Sequence, residues 1–379
     1  MNQQLSSFAA RLRELISSGF QSENFELLAL ELFALQFENN SAYRRICEAR
    51  KLTPKVVGHW TQIPFVPTAA FKELELTSLA PRERTAVFHS SGTTEQQPSR
   101  HFHNAESLAV YEASLWKWFE SEALGVGREA LDLVILTPPP AQTPHSSLVH
   151  MFETIRQKLG AAENIFVGKT SADGSWTLDF DRLFAELSTT APRPAPRALF
   201  LLGTAFSYVH LLDFLTEKNL KLQLPENSCV METGGYKNRS RSLPKSELHS
   251  LITKYLGVPR ENIICEYGMS ELSSQAYDPG ARGARHEASG KIIADLAPKA
   301  SRPTPFRFPP WACAQIISPE TGREVADGET GLIRIFDLAN VFSVAAIQTE
   351  DLGIRRGDGF ELIGRAQVAE PRGCSLMNA

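Results

Sequence analysis

His89-Ser90-Ser91-Gly92-Thr93-Thr94 follows directly on an apolar run, Ala86-Val87-Phe88, and crowds hydroxyls around one glycine. The glycine permits tight curvature, and the Ser and Thr side chains add donors without bulk. Such a loop can turn its backbone N–H and side-chain O–H groups around a phosphate. Ser/Thr/Gly clusters also form ordinary turns. A phosphate cradle is the better reading only if the chain also supplies a nucleoside pocket, a metal ligand and a group to be activated.

Working outward, Ile63-Pro64-Phe65-Val66-Pro67 leads toward the loop, and its prolines predict an extended connector. Before it, Phe8, Leu12, Leu15 and Ile16, then Phe25, Leu28, Leu32 and Phe33, recur at helical spacing across residues 4–50. After the loop, Asn104–Leu124 reads as a long helix with Asn104 as N-cap. Strand and helix then alternate. Strands are expected at 131–136, 164–167, 198–202, 229–232 and 262–266, with helices at 147–159, 179–187, 206–218 and 245–256. This alternation predicts an α/β fold of layered sheets and helices, with function at the strand ends. From Trp311 onward helix signals fade, and strands at 314–317, 331–336 and 343–347 predict a β-rich subdomain, a distorted barrel or sandwich.

The chain of 379 residues has a formal net charge of −4, which offers no basic footprint for nucleic acid. No window approaches about 18 uninterrupted apolar residues, so no membrane span is expected. The start reads as an amphipathic helix and not as a signal peptide. The five cysteines, Cys47, Cys229, Cys265, Cys313 and Cys374, are scattered and form no CxxC pair. That pattern argues against a disulfide framework or a zinc site and for a reducing cytoplasm. Four lie in apolar surroundings; Cys374 does not.

Three further stretches join the loop. Glu232-Thr233-Gly234-Gly235-Tyr236-Lys237 places paired glycines at a strand end, where a flat ring can approach the backbone. Tyr267-Gly268-Met269-Ser270-Glu271 also follows a strand. There a tyrosine can stack on a purine or serve as a core aromatic, a hydroxyl can bond phosphate, and a carboxylate can hold Mg²⁺. In Thr349-Glu350-Asp351-Leu352-Gly353, followed by Gly364-Arg365, the aspartate can accept both ribose hydroxyls. His145, at a helix start below Pro138-Pro139-Pro140, either gates an acyl pocket or is a solvated neighbour of a capping serine.

This ordered set resembles the adenylate-forming superfamily of acyl-CoA synthetases, adenylation domains and luciferases. Phe71-Lys72, Pro309-Pro310-Trp311, Asp337-Leu338-Ala339-Asn340 and the ending Arg372-Gly373-Cys374-Ser375-Leu376 narrow it to the acyl-protein synthetase (LuxE-type) family. The resemblance runs from about residue 60 to the end. It implies the fold of the large N-terminal domain of adenylate-forming enzymes without their small C-terminal domain. It also implies ATP and Mg²⁺ as cofactors and a fatty acid activated as acyl-AMP. The acyl group then moves to a cysteine near the C-terminus, for delivery to an acyl reductase or other acceptor protein. The roles implied are phosphate binding by Ser90, Ser91, Gly92, Thr93 and Thr94; base and ribose binding by Gly234, Gly235, Tyr267 and Asp351; and catalysis by Ser270, Glu271, Arg365 and Cys374, with Glu271 on the metal. The residues agree about Cys374. A thiol between Gly373 and Ser375, near Arg372, has the setting of a nucleophile, and nine residues of tail beyond Arg365 span about 30 Å at roughly 3.3 Å each.

The departures from the family pattern are specific. The usual glycine after the two threonines is Glu95 and the closing lysine is Ser99, with Arg100 next door. With the small domain goes its catalytic lysine, so either another cation serves, with Lys72, Lys237 and Arg365 in view, or adenylation is slower. The expected organisation is a helical segment at 1–60, an α/β core at 61–310, the β-rich subdomain at 311–365 and a tail at 366–379 carrying Cys374. Two alternatives stand beside the acyl-protein synthetase reading: a CoA ligase that leaves Cys374 idle, and a catalytically silent subunit that binds acyl groups or a partner.

Overall fold

A computed structural model describes residues 2–90, 97–124, 131–162, 165–188, 197–234, 243–278 and 304–366. The chain opens with helices α1 (Gln3–Ser18), α2 (Phe25–Asn39) and α3 (Ser41–Ala49). Leu5, Phe8, Leu12 and Ile16 make a buried stripe along α1, at the spacing that puts them on one face. Asn2 starts the helix by accepting from the Gln4 N–H at 2.8 Å.

The connector forms a two-residue strand, β1 (Val66–Pro67), and one helical turn, α4 (Ala70–Glu73). A hairpin follows, β2 (Ala86–His89) against β3 (Arg100–His103), so the hydroxyl-rich stretch is the link between two antiparallel strands. The long helix α5 (Ala105–Phe119) begins at the expected cap, with the Asn104 side chain accepting from the Ser107 N–H, and ends in a π turn at Glu120–Leu124.

Alternation then builds the central sheet from β4 (Asp132–Ile135), α6 (Ser147–Lys158), the small ribbon β5 (Gly168–Thr170) and β6 (Trp176–Leu178), α7 (Phe180–Ser188), β7 (Leu199–Thr204), α8 (Ala205–Glu217), β8 (Cys229–Thr233), α9 (Lys245–Leu256), β9 (Ile263–Tyr267) and β10 (Ala276–Asp278). Its order is β10-β9-β8-β7-β4, with β4, β7, β8 and β9 parallel and β10 antiparallel. Every residue of β7, β8 and β9 is buried, as a sheet covered on both faces requires. The strand expected at 164–167 differs: Phe166 makes a single bridge to Ile135, and the regular pairing begins at Gly168.

The second sheet contains β11 (Ala312–Ile317), β12 (Thr330–Asp337), β13 (Ala346–Arg356) and β14 (Gly359–Arg365), with β1 parallel to β13. It is one five-stranded sheet in which β12 covers one edge of β13, and β1 and β14 share the other. The strand expected at 343–347 starts later and runs much further. Residues 340–345 are held in a turn, because the Asn340 amide donates to the Val344 carbonyl and the Ser343 hydroxyl to that of Leu76. Thr349-Glu350-Asp351 consequently lies inside a strand. One apolar cluster joins α1–α3 to this sheet, and the buried Gln36 side chain pins α2 to the turn, donating to the Asn340 carbonyl and accepting from the Ala345 N–H. Among the described residues, no helix is long and apolar enough to cross a membrane.

Candidate active site

The carboxyl ends of the parallel strands lie on one edge of the central sheet, and there the motif residues assemble. The hairpin closes at its base through Ser90 and Ser99: the Ser99 N–H donates to the Ser90 hydroxyl at 3.0 Å. Ser91, Gly92, Thr93 and Thr94 lie outside the described residues. His145 sits against this base. Its carbonyl accepts from the His89 N–H at 2.9 Å, its ring stacks on the His89 ring at 4.8 Å, and its Nδ1 donates to the Val87 carbonyl at 3.2 Å. Ser146 beside it caps α6.

Glu271 follows β9 and is buried. Burial pushes its carboxyl up, while the Ser99 and Ser270 hydroxyls and the positive charge of Arg365 pull it back. The carboxylate expected to hold a metal thus lies near the residue that closes the hairpin, although the Ser99 hydroxyl makes no hydrogen bond among the described residues. The Ser270 hydroxyl donates to Glu271 Oε2 at 3.2 Å. A desolvated carboxylate among hydroxyls is a hard oxygen donor set, which fits Mg²⁺.

Asp351 and Arg365 face each other across β13 and β14, with Arg365 Nε 3.7 Å from Asp351 Oδ1. Asp351 is also reached by Tyr267, whose hydroxyl donates to Oδ2 at 2.8 Å. The Tyr267 ring is buried and met edge-on by Phe308 and Phe360. Gly234 follows β8 with φ +71°, a left-handed conformation that suits glycine, and Gly235 lies outside the described residues, as do Lys237 and Cys374. Lys72 is placed on α4, and Arg100 on β3, where it stacks over Phe102 and lies 3.9 Å from Glu75.

Residues that were given no role in advance support the site. His101, buried on β3, donates from Nδ1 to the Ser270 carbonyl at 2.8 Å, and burial drops it to about 4, so the ring is neutral. Asp337, wholly buried, accepts from the Ser273 and Ser274 N–H groups, the Ser274 hydroxyl and the Ala339 N–H. Asn340 donates to the Glu271 carbonyl oxygen at 2.8 Å. Asp337-Leu338-Ala339-Asn340, legible beforehand only as a mark of resemblance, is therefore the brace of the Glu271 loop. Glu266 is buried next to Tyr267. Burial pushes it up to about 7, with Glu232 adding to the rise, although the Thr233 hydroxyl donates to its carboxylate. A Cβ on Gly268 would collide with that carboxylate, which explains the glycine there.

The fold is that of known ligases. A 2-hydroxyisobutyryl-CoA ligase, solved in an open conformation with 2-HIB-AMP and CoA, superposes with a TM-score of 0.61 at 15% identity, over 89% of this chain and 74% of that one. Two curated proteins named long-chain-fatty-acid–luciferin-component ligase are similar along most of their length. The one from Aliivibrio fischeri is 22% identical over 95% of this chain and 89% of its own. The one from Vibrio harveyi is 22% identical over 91% of this chain and 84% of its own. The family model described as acyl-protein synthetase, LuxE, matches residues 14–379, and the chain belongs to that family.

Proposed function

We propose that this chain is an ATP- and Mg²⁺-dependent ligase that activates a long-chain fatty acid as acyl-AMP and transfers the acyl group to the thiol of Cys374, for delivery to an acceptor protein such as an acyl reductase. The observation that carries this reading is the buried Glu271 carboxylate at the hairpin base, in the field of Arg365. Family membership and the names of the two curated relatives supply the substrate class.

In the first step a substrate carboxylate oxygen attacks the α-phosphorus of ATP, the bond to pyrophosphate breaks, and a mixed anhydride forms. The hydroxyls and N–H groups of residues 90–94 stabilise the negative charge on the transferring group, as fixed donors do in sites that exclude water. Glu271 would hold Mg²⁺, which supplies charge neutralisation at the phosphates. Asp351 retains acceptor capacity for the ribose hydroxyls, Gly234 and Gly235 leave room for the base, and His145 stands at the hairpin base to orient the acid. In the second step the Cys374 thiolate attacks the acyl carbon, the bond to AMP breaks, and a thioester forms, the thiol proton having gone to solvent. Widely scattered thiols suit a reducing cytoplasm.

The test is intact-protein mass after incubation with ATP, Mg²⁺ and a mixture of fatty and aromatic acids. The wild type gains one acyl group, and Cys374→Ala gains none while still releasing pyrophosphate. Full labelling of Cys374→Ala would sink the carrier role of that cysteine. Turnover only on adding CoA would identify a CoA ligase, and no pyrophosphate with any acid a silent subunit.

A further inference from the structure

On the opposite face of β8 and β9 from Thr233 and Glu266, Glu232 and Cys265 are paired across the two strands, and His249 of α9 lies over both. All three are buried. His249 Nε2 is 3.3 Å from Glu232 Oε1 and 3.7 Å from Cys265 Sγ, and the three ligand atoms lie within 4.8 Å of one another.

Both contacts share one nitrogen of His249, and the Lys245 ammonium also stands beside Cys265. If Nε2 carries a proton, it can donate to Glu232 but cannot accept from the Cys265 thiol. If it carries none, it can accept from the thiol but meets the Glu232 carboxylate lone pair to lone pair. Nδ1 is buried without a partner among the described residues and relieves neither case.

A divalent ion at the common point would take one electron pair from each of the three, and the spacing of the ligand atoms suits it. With bond lengths of about 2.0–2.1 Å to N and O and about 2.3 Å to S, tetrahedral zinc spaces N from O by about 3.3 Å and N from S by about 3.6 Å. The observed separations are close to these values. Lys245 pairs with Asp278 at 2.7 Å beside the cluster, so Glu232 and a Cys265 thiolate are the two negative charges that would face the ion. We propose that Glu232, His249 and Cys265 form a site for a thiophilic divalent cation of the Zn²⁺ class, tying α9 to the strand ends that precede Gly234 and Tyr267. Binding displaces the thiol proton of Cys265 to solvent and leaves the imidazole proton on Nδ1. This site is separate from Glu271, and its existence does not depend on the proposed ligase activity.

The experiment is titration of chelator-stripped full-length protein with Co²⁺, in a Cys374→Ser background so that the tail thiol contributes nothing. One equivalent is expected to develop the near-ultraviolet thiolate charge-transfer band and the intense visible bands of a tetrahedral ion, to be displaced by Zn²⁺, and to raise Tm. Cys265→Ala abolishes the charge-transfer band. His249→Gln lowers affinity by more than the roughly 10–100-fold that loss of an outer partner costs. Absence of the band in folded protein, or a band that survives Cys265→Ala, overturns the proposal. If neither variant folds, X-ray absorption on the Zn²⁺-loaded parent decides: one sulfur with nitrogen and oxygen supports the site, and any shell without sulfur refutes it.

Discussion

Tyr267 donates its phenolic proton to Asp351 over 2.8 Å, joining the end of β9 in the central sheet to β13 in the second sheet, 84 residues further along the chain. Burial pushes the Asp351 carboxyl up, and the Tyr267 hydrogen bond and Arg365 hold it down. The carboxylate proposed to read the ribose is therefore positioned by the motif proposed to bind the base and the metal.

Tyr267→Phe should leave Asp351 one donor short, at a cost of about 1–3 kcal/mol of folding stability. KM for ATP should rise more than kcat falls, because the loss affects placement of the nucleotide. Urea unfolding together with pyrophosphate-release kinetics checks both. An unchanged KM would detach Asp351 from the nucleotide.

Asp337→Asn tests the brace. Each carboxylate oxygen of Asp337 accepts from two donors, so in either orientation the amide NH₂ faces N–H or O–H groups. A stability loss of about 3 kcal/mol is expected, with slower adenylation as the Glu271 loop loosens. Ser274→Ala, which removes one hydroxyl donor, should cost about 1 kcal/mol. Equal losses for the two variants would show that the backbone donors do not depend on the charge.

Glu271→Gln keeps the shape and removes a desolvated negative charge. Stability should hold or rise, whereas pyrophosphate release should fall by about 10²-fold or more, as when an electrostatic contributor to a transition state is lost. A variant with normal turnover and reduced stability would make Glu271 a structural residue.

Glu266 predicts a pH dependence. Its ordinary value of 4.5 applies in the unfolded chain, and the folded value is about 7. Between these values the unfolded state ionises first and binds fewer protons, so stability falls as pH rises from about 4.5 to 7 and is fully present only below that window. Glu266→Gln mimics the protonated acid and keeps an acceptor for the Thr233 hydroxyl. It should match the wild type near pH 4.5 and exceed it above pH 7 by up to about 3 kcal/mol. Urea unfolding at the two ends of the window measures this, and a gap independent of pH would show that Glu266 ionises normally.

Much of the local structure was legible beforehand. The helix expected at 245–256 is observed as Lys245–Leu256, with Gly257 in the left-handed region closing it, and Asn104 caps α5 as its side chain suggested. Such features depend on apolar spacing and on short side chains bonding nearby backbone. The strand expected at 343–347 is instead Ala346–Arg356, which takes in Thr349–Asp351, because the turn before it is held by Asn340 and by Leu76, 267 residues away from Ser343.

The sequence by itself determined the alternation of strands and helices in the central sheet, the hydroxyl-rich loop and the motif residues, since each is encoded in a short window of backbone preference and side-chain chemistry. Tertiary structure alone decided what surrounds them. His101 supports Ser270 from 169 residues away, Ser99 lies near Glu271, Asp337 braces the following loop, and Glu232, His249 and Cys265 converge from two strands and a helix. Desolvation and electrostatic fields depend on what lies within a few ångströms in space, and no spacing along the chain encodes that neighbourhood.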